Sequence, residues 1–301
     1  MRPVYVSAYA ASPAHAHWDP ALEAQLLPAL CGLPGVVGLE APWFGALHPH
    51  DPEWFVRHVP PGARLAVTPL PWIMRRAAAD PAYGIASGDA GGRAAALDDL
   101  RRVQADIGRL AGAVELVALH TAPRGGEDPH ALAASLEELR AWDWGAARLV
   151  IEHCDAVRPG QPFEKGFLAL ADELGVLEGT DVGVWLNWGR SAIELRDPDA
   201  VTTQIRDAAA SGRLVGLTFS GAAAEDGPYG GAWIDGHPPL LSADPASKSL
   251  LDDAHVAAAL AAAPDVPALG LKVSRLPSDR TAADVVATVA RNLDVLRRLG
   301  A

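Results

Sequence analysis

One pattern recurs along this chain and limits its fold more than any other feature. A short run of apolar and β-branched residues, a polar or Gly/Pro-rich turn and an amphipathic stretch follow one another eight times, the alternation of βα units. The runs are VYVSAYA (4–10), VVGLEAP (36–42), RLAVTPL (64–70), VELVALH (114–120), RLVIEH (148–153), VGVWLN (182–187), LVGLTFS (214–220) and LGLKVS (269–274). Helical patterns lie between them. In DPALEAQLLPAL, Asp19 predicts an N-cap and Pro20 the first helical position. GGRAAALDDLRRVQADIGRLAG, DPHALAASLEELRAW and AADVVATVARNLDVLRRLG are equally clear.

Eight strands and about eight helices in 301 residues fit a closed α/β architecture, a single (β/α)8 TIM barrel. An open doubly wound sheet needs fewer strands and usually a Gly-rich first turn, and no GxGxxG follows the first strand. The expectation is one domain, residues 1–301, with the C-terminal helix closing the ring. Long loops are expected at about 71–92 and 220–250. In a barrel both lie on the catalytic face.

Half of the residues are apolar, enough for a sizeable core. The 25 basic and 37 acidic residues give a net charge of −12 with no Lys/Arg cluster, which argues against nucleic-acid or anionic-membrane partners. There is no run of 18 uncharged apolar residues and no signal-peptide core at the N-terminus, so a cytoplasmic protein is expected. Cys31 and Cys154 have neither metal-site spacing nor the density of a disulfide scaffold. The absence of GxGxxG, GKS/T and GxSxG patterns implies no nucleotide cofactor and no acyl-transfer nucleophile elbow.

If the fold is a barrel, chemistry is read from the strand ends. These are Ser7, Tyr9, Glu40, Thr68, His120, Glu152, Asn187 with Arg190 just beyond, Ser220 and Lys272. Alternation places Val150 and Glu152 on one side, so Glu152 is expected to cap the barrel core. Lys272, one of three lysines against 22 arginines, is expected to converge on the same space. A buried carboxylate and a buried ammonium are costly unless paired or bound to a ligand, so the two are expected to face each other or a shared substrate. Trp43, Trp72, Trp188 and Trp233 follow strands and are assigned to a substrate pocket, whereas Trp142 and Trp144 precede one and are assigned to packing. His15-x-His17 and His48-x-His50 are weak metal signals without a third ligand in view.

These strand ends resemble those of the xylose isomerase-like TIM barrels, which include sugar isomerases, sugar epimerases and metal-dependent apurinic endonucleases. LVALHTAP is similar to the fourth-strand His motif of the endonuclease branch, LVIEHCDA to the fifth-strand Glu motif, and WIDGHPPL to an Asp-x-His pair. The resemblance implies metal-ligand positions at His120, Glu152, Asp235 and His237. The sequence also departs from the family. Asn187 and Arg190 stand where an Asp-x-x-His belongs, Ser220 replaces a His, and Lys272 replaces a metal-binding Glu. The chain is also similar to a group of actinobacterial proteins known only as a domain of unknown function.

The resemblance and the residues together imply a carbohydrate- or polyol-directed isomerase, epimerase or lyase with a degenerate metal site. Glu152 is the expected acid/base, with Lys272 and Arg190 stabilising an enolate oxygen. His120 and His237 would relay protons, while Asn187 and Asp235 would hydrogen-bond the substrate. No cofactor is expected to be required. Three alternatives stay open: a reduced Zn or Mn site on His120, Glu152, Asp235 and His237; a Schiff base on Lys272; and a non-catalytic binding protein for sugars or other small metabolites. The expected partner is a small molecule, a sugar, and outer helices leave room for a homo-oligomer.

Overall fold

The computed structural model describes residues 2–12, 17–110, 112–276 and 278–301. Its strands are β1 (Val4–Ser7), β2 (Val36–Pro42), β3 (Arg64–Thr68), β4 (Val114–Leu119), β5 (Arg148–Glu152), β6 (Gly183–Asn187), β7 (Leu214–Phe219) and β8 (Ala268–Leu271). They close in sequence order into a (β/α)8 TIM barrel. The helices of the first half are α1 (Ala8–Ala11), α2 (Pro20–Cys31), α3 (Pro52–His58), α4 (Leu70–Ala79), α5 (Ala90–Ile107) and α6 (Pro129–Arg140). Those of the second half are α7 (Leu170–Leu177), α8 (Trp188–Leu195), α9 (Pro198–Ala210), α10 (Asp253–Ala262) and α11 (Ala282–Arg298). No described helix is long and apolar enough to cross a membrane.

Each of the eight runs read from the sequence contains a strand. Most strands stop short of the run's polar end, because the residues there turn into the following loop or helix. The caps follow the local chemistry. Asp19, Asp128 and Asp197 each accept hydrogen bonds from the first turn of a helix that opens with Pro. Thr281 and Asp284 form a reciprocal capping box on α11.

By proximity the chain divides into two compact units. The first comprises Met1–Glu40, His58–Arg64 and Leu186–Ala301. It holds β1, most of β2, β7 and β8, with Val4, Val6, Leu39, Leu217, Phe219, Leu269 and Leu271 buried between strands and helices. Here β1 pairs in parallel with both β2 and β8, and α11 packs on α2.

The second unit comprises Ala41–Arg57 and Leu65–Trp185. It holds most of β3, together with β4 and β5 and the first residues of β6, paired in parallel. The stretch expected to be a loop at 71–92 instead carries α4. Pro69 and Pro71 read as loop signals, yet both fall at the start of the helix, where a missing N–H costs nothing. The stretch 220–250 contains only a single 3-10 turn, Pro245–Ser247.

Two buried carboxylates anchor helices of the second unit. Glu173 of α7 accepts from Thr121 Oγ1 at 2.7 Å and meets His153 Nδ1 at 2.8 Å. His153 thus serves packing between β5 and α7, the side opposite to Glu152. Asp99 of α5 accepts from Trp72 Nε1 at 2.8 Å and Tyr83 Oη at 3.0 Å, and it pairs with Arg76 and Arg102 at 3.2 and 3.0 Å. Burial and this carboxylate push the Tyr83 phenol far up from its ordinary value of 10.0. Asp99→Ala strands a buried phenol and an indole without an acceptor. Urea unfolding is expected to show a loss of about 1–3 kcal/mol for each such group.

Candidate active site

Two polar clusters sit at the carboxyl ends of the strands, one in each unit. In the second unit, His120 follows β4 and Glu152 ends β5. Both are buried, and His120 Nε2 lies 2.8 Å from Glu152 Oε2. Neighbouring strands β4 and β5 run in register, with Leu119 opposite Ile151, so the residue after each pair member lands at the same height. The carboxylate that the sequence placed at a strand end therefore takes an imidazole from the next strand.

Beside His120 the second unit encloses a cavity of about 10 Å³, room for roughly one water, lined mainly by Trp43, Trp72, Tyr83 and Ile85. Trp43 and Trp72 meet edge to face at 5.7 Å. Their indole N–H groups are held by α5, Trp43 by Asp106 at 2.7 Å and Trp72 by Asp99 at 2.8 Å. Nothing in the sequence pattern had marked Asp99 or Asp106, which look like ordinary polar residues of an amphipathic helix.

In the first unit Lys272 lies one residue beyond β8, fully buried, with Nζ 2.7 Å from Glu40 Oε1. The same nitrogen is 4.7 Å from the centre of the Tyr9 ring, a cation–π distance. From the sequence, Lys272 is expected to face Glu152 or a substrate shared with it. The hydrogen-bonded carboxylate in the structure is Glu40, from a strand end that had been given no role. Burial raises the Tyr9 phenol above its ordinary 10.0, against the pull of the nearby Lys272 ammonium.

Arg190 of α8 is also fully buried, and its Nε donates to Asp235 Oδ2 at 2.9 Å. It reaches this position because α8 starts hard against the end of β7. A Cβ on Gly189 would lie 2.7 Å from the carbonyl oxygens of Ser220 and Gly221, so only glycine fits. Asn187 caps the same helix, its Oδ1 accepting from Gly189 N at 3.0 Å and Arg190 N at 3.4 Å. Its Nδ2 is buried without a hydrogen-bond partner among the described residues.

Asp235 Oδ1 lies 3.1 Å from His237 Nδ1, and Ser220 Oγ lies 2.9 Å from the same nitrogen. Both partners share Nδ1, so this is not a Ser–His–Asp nucleophile, which needs serine on the opposite ring nitrogen. A proton on Nδ1 leaves the Nε2 lone pair as the basic site. His237 adopts φ +52, a left-handed conformation that costs about 1–2 kcal/mol for a side chain of this kind. Backbone bonds hold it there: Ser274 N donates to His237 O at 2.8 Å and Gly221 N to Pro238 O at 3.1 Å.

Burial lowers the His237 pKa from its ordinary 6.5, with Asp235 opposing and Lys272 and Arg190 adding to the fall. The ring is therefore the free base at neutral pH. As pH falls below 6.5, the unfolded chain takes up a proton that the buried ring resists, so stability is lost over that window. Urea titrations from pH 7.5 to 5 are expected to show this loss. In His237→Asn, which suits the left-handed backbone, that part of the pH dependence should vanish.

The remaining assignments are placed as follows. Trp188 is fully buried with its edge toward His255 of α10, 5.7 Å away, a helix-layer contact rather than a pocket wall. Trp233 stacks under Arg196 at 4.4 Å. Trp142 and Trp144 stack on each other at 5.8 Å, as expected of packing residues. His48 Nδ1 accepts from His50 N and Asp51 N at 3.2 and 3.0 Å, so it caps a turn and is not presented as a metal ligand. His15 lies outside the described residues. The two cysteines are free.

The chain matches the family described as Domain of unknown function (DUF4862) over residues 5–288. It belongs to that family. A protein of Salmonella typhimurium strain LT2, described as uncharacterized, is 35% identical over 271 residues, 87% of this chain and 86% of its own length. The structure is similar to D-psicose 3-epimerase from Clostridium cellulolyticum H10, with a TM-score of 0.56 and 14% identity over 99% of both chains. It is also similar to a xylose isomerase-like TIM barrel/4-hydroxyphenylpyruvate dioxygenase fusion protein, with a TM-score of 0.63 and 15% identity over 99% of this chain and 42% of that one. The DUF4862 chain thus shares the TIM-barrel fold of these structures.

The resemblance read from the sequence implies a divalent metal, and the donors present do not fit one. Among the described residues no group of three or more His, Cys, Asp or Glu side chains is placed to hold an ion. The carboxylate of Asp235 is occupied by a guanidinium, and an ammonium stands at the eighth-strand position.

Proposed function

We propose that this protein is an acid–base isomerase or epimerase of a carbohydrate or polyol, working by proton abstraction next to a carbonyl. The observation that carries the reading is the fully buried Lys272 ammonium at the end of β8, whose charge acts with that of Arg190 on a His237 held as the free base. Removing a proton from carbon beside a carbonyl moves an electron pair onto the carbonyl oxygen. A fixed ammonium in a water-poor site stabilises that charge without reorganising. His237 Nε2 relays the proton, and return of a proton to the neighbouring or the same carbon completes isomerisation or epimerisation. Within the second unit, Glu152 with its hydrogen-bond partner His120 is the acid/base the sequence reading assigns. The similarity in fold to a D-psicose 3-epimerase makes ketohexoses the first substrates to try.

The Schiff-base alternative is disfavoured by Glu40. An ammonium ion-paired at 2.7 Å holds its proton, whereas attack on a carbonyl needs the neutral amine. The test is incubation with D-fructose, D-tagatose and D-psicose in deuterated water, read by NMR. Deuterium appearing at carbon next to the carbonyl supports the proposal. Absence of exchange and of interconversion for every ketose defeats it, and binding without exchange would make the protein a sugar-binding one.

A further inference from the structure

The geometry points to Ser7 as a hydrogen-bonding residue for a hydroxyl of an uncharged, polyhydroxylated ligand. Ser7 ends β1, the strand between β2 and β8. It pairs in register with Glu40, and it lies one step beyond the Val6–Leu271 pair, level with Lys272. Residues paired across parallel strands point to the same face, so the Ser7 hydroxyl shares a face with the Glu40 carboxylate and the Lys272 ammonium.

Ser7 is 1% exposed, and its Oγ has no hydrogen-bond partner among the described residues. It also occupies the N-cap of α1, where a serine commonly caps the helix, yet it makes no capping bond. A buried hydroxyl without a partner costs free energy, and a ligand hydroxyl placed against it would offset that cost. The charge around it is balanced, since Lys272 is paired with Glu40 and Arg190 with Asp235. A sugar hydroxyl, at once donor and acceptor, matches a serine on such a surface, whereas an anion would have to compete with Glu40 and Asp235.

This inference rests on the proposed carbohydrate site, but its test reads binding and not turnover. D-Fructose, D-tagatose and myo-inositol are titrated calorimetrically into the wild type, Ser7→Ala and Ser7→Cys, and all three proteins are melted without ligand. The expected result is a Kd raised on the order of 10-fold in both variants, with melting temperatures equal to or above that of the wild type. The cysteine variant keeps the volume and serves if alanine perturbs folding. Unchanged affinity, or variants that melt well below the wild type, would show the hydroxyl to be structural and overturn the inference. So would a wild type that binds none of the three polyols. Binding weakened by Ser7→Ala in a protein that performs no exchange would retain Ser7 and discard the catalytic reading.

Discussion

Replacing Lys272 by Met is expected to lower turnover on any exchanging ketose by at least about 10²–10³-fold, the range for loss of one preorganised group at a developing oxyanion. The same change should be costly to the fold. It leaves the Glu40 carboxylate without the ammonium 2.7 Å away, and breaking one side of a buried ion pair costs about 3–5 kcal/mol. The two effects separate in the double variant Lys272→Met with Glu40→Gln. Removing both charges should restore most of the stability in urea unfolding, because the uncompensated carboxylate is gone. It should restore none of the activity. Full activity in the double variant would show Lys272 to be a structural counter-ion and would end the proposed mechanism.

Glu152→Gln is expected to behave in the opposite way, with activity lost and the fold retained. Glutamine fills the same volume and can still hydrogen-bond His120 Nε2, which lies 2.8 Å from the carboxylate. The stability change should therefore stay within about 1 kcal/mol. An amide cannot take up a proton, so turnover should fall by about 10²–10⁴, the contribution of a positioned acid/base. A variant that exchanges deuterium at the wild-type rate would remove Glu152 from the chemistry. His237 would then be left as the proton-transfer group of the first unit.

The difference between these variants also shows what local pattern does and does not reveal. Strand parity was enough to find Glu152 and Lys272 at strand ends, because inward and outward positions alternate with a period of two. Glu40 stood in the same set of strand ends, but no spacing rule links it to a lysine 232 residues further along the chain. The tryptophans mark a second boundary. Position after a strand suggested a pocket for Trp43, Trp72, Trp188 and Trp233, and Trp43 and Trp72 do line the cavity beside His120. Their N–H groups are held by α5 carboxylates, whereas Trp188 is buried against α10 and Trp233 stacks on Arg196. Loop position does not say which way an indole turns.

The amino-acid sequence by itself determined the eightfold βα order, the helix caps and the chemical types at the carboxyl ends of the strands. All of these are set by neighbours a few residues apart, through alternation, capping and the conformational limits of Pro and Gly. Only the tertiary structure decided who pairs with whom: Lys272 with Glu40, Glu152 with His120, Arg190 with Asp235. Those choices follow from strand register and barrel closure, which bring together residues that share no local periodicity.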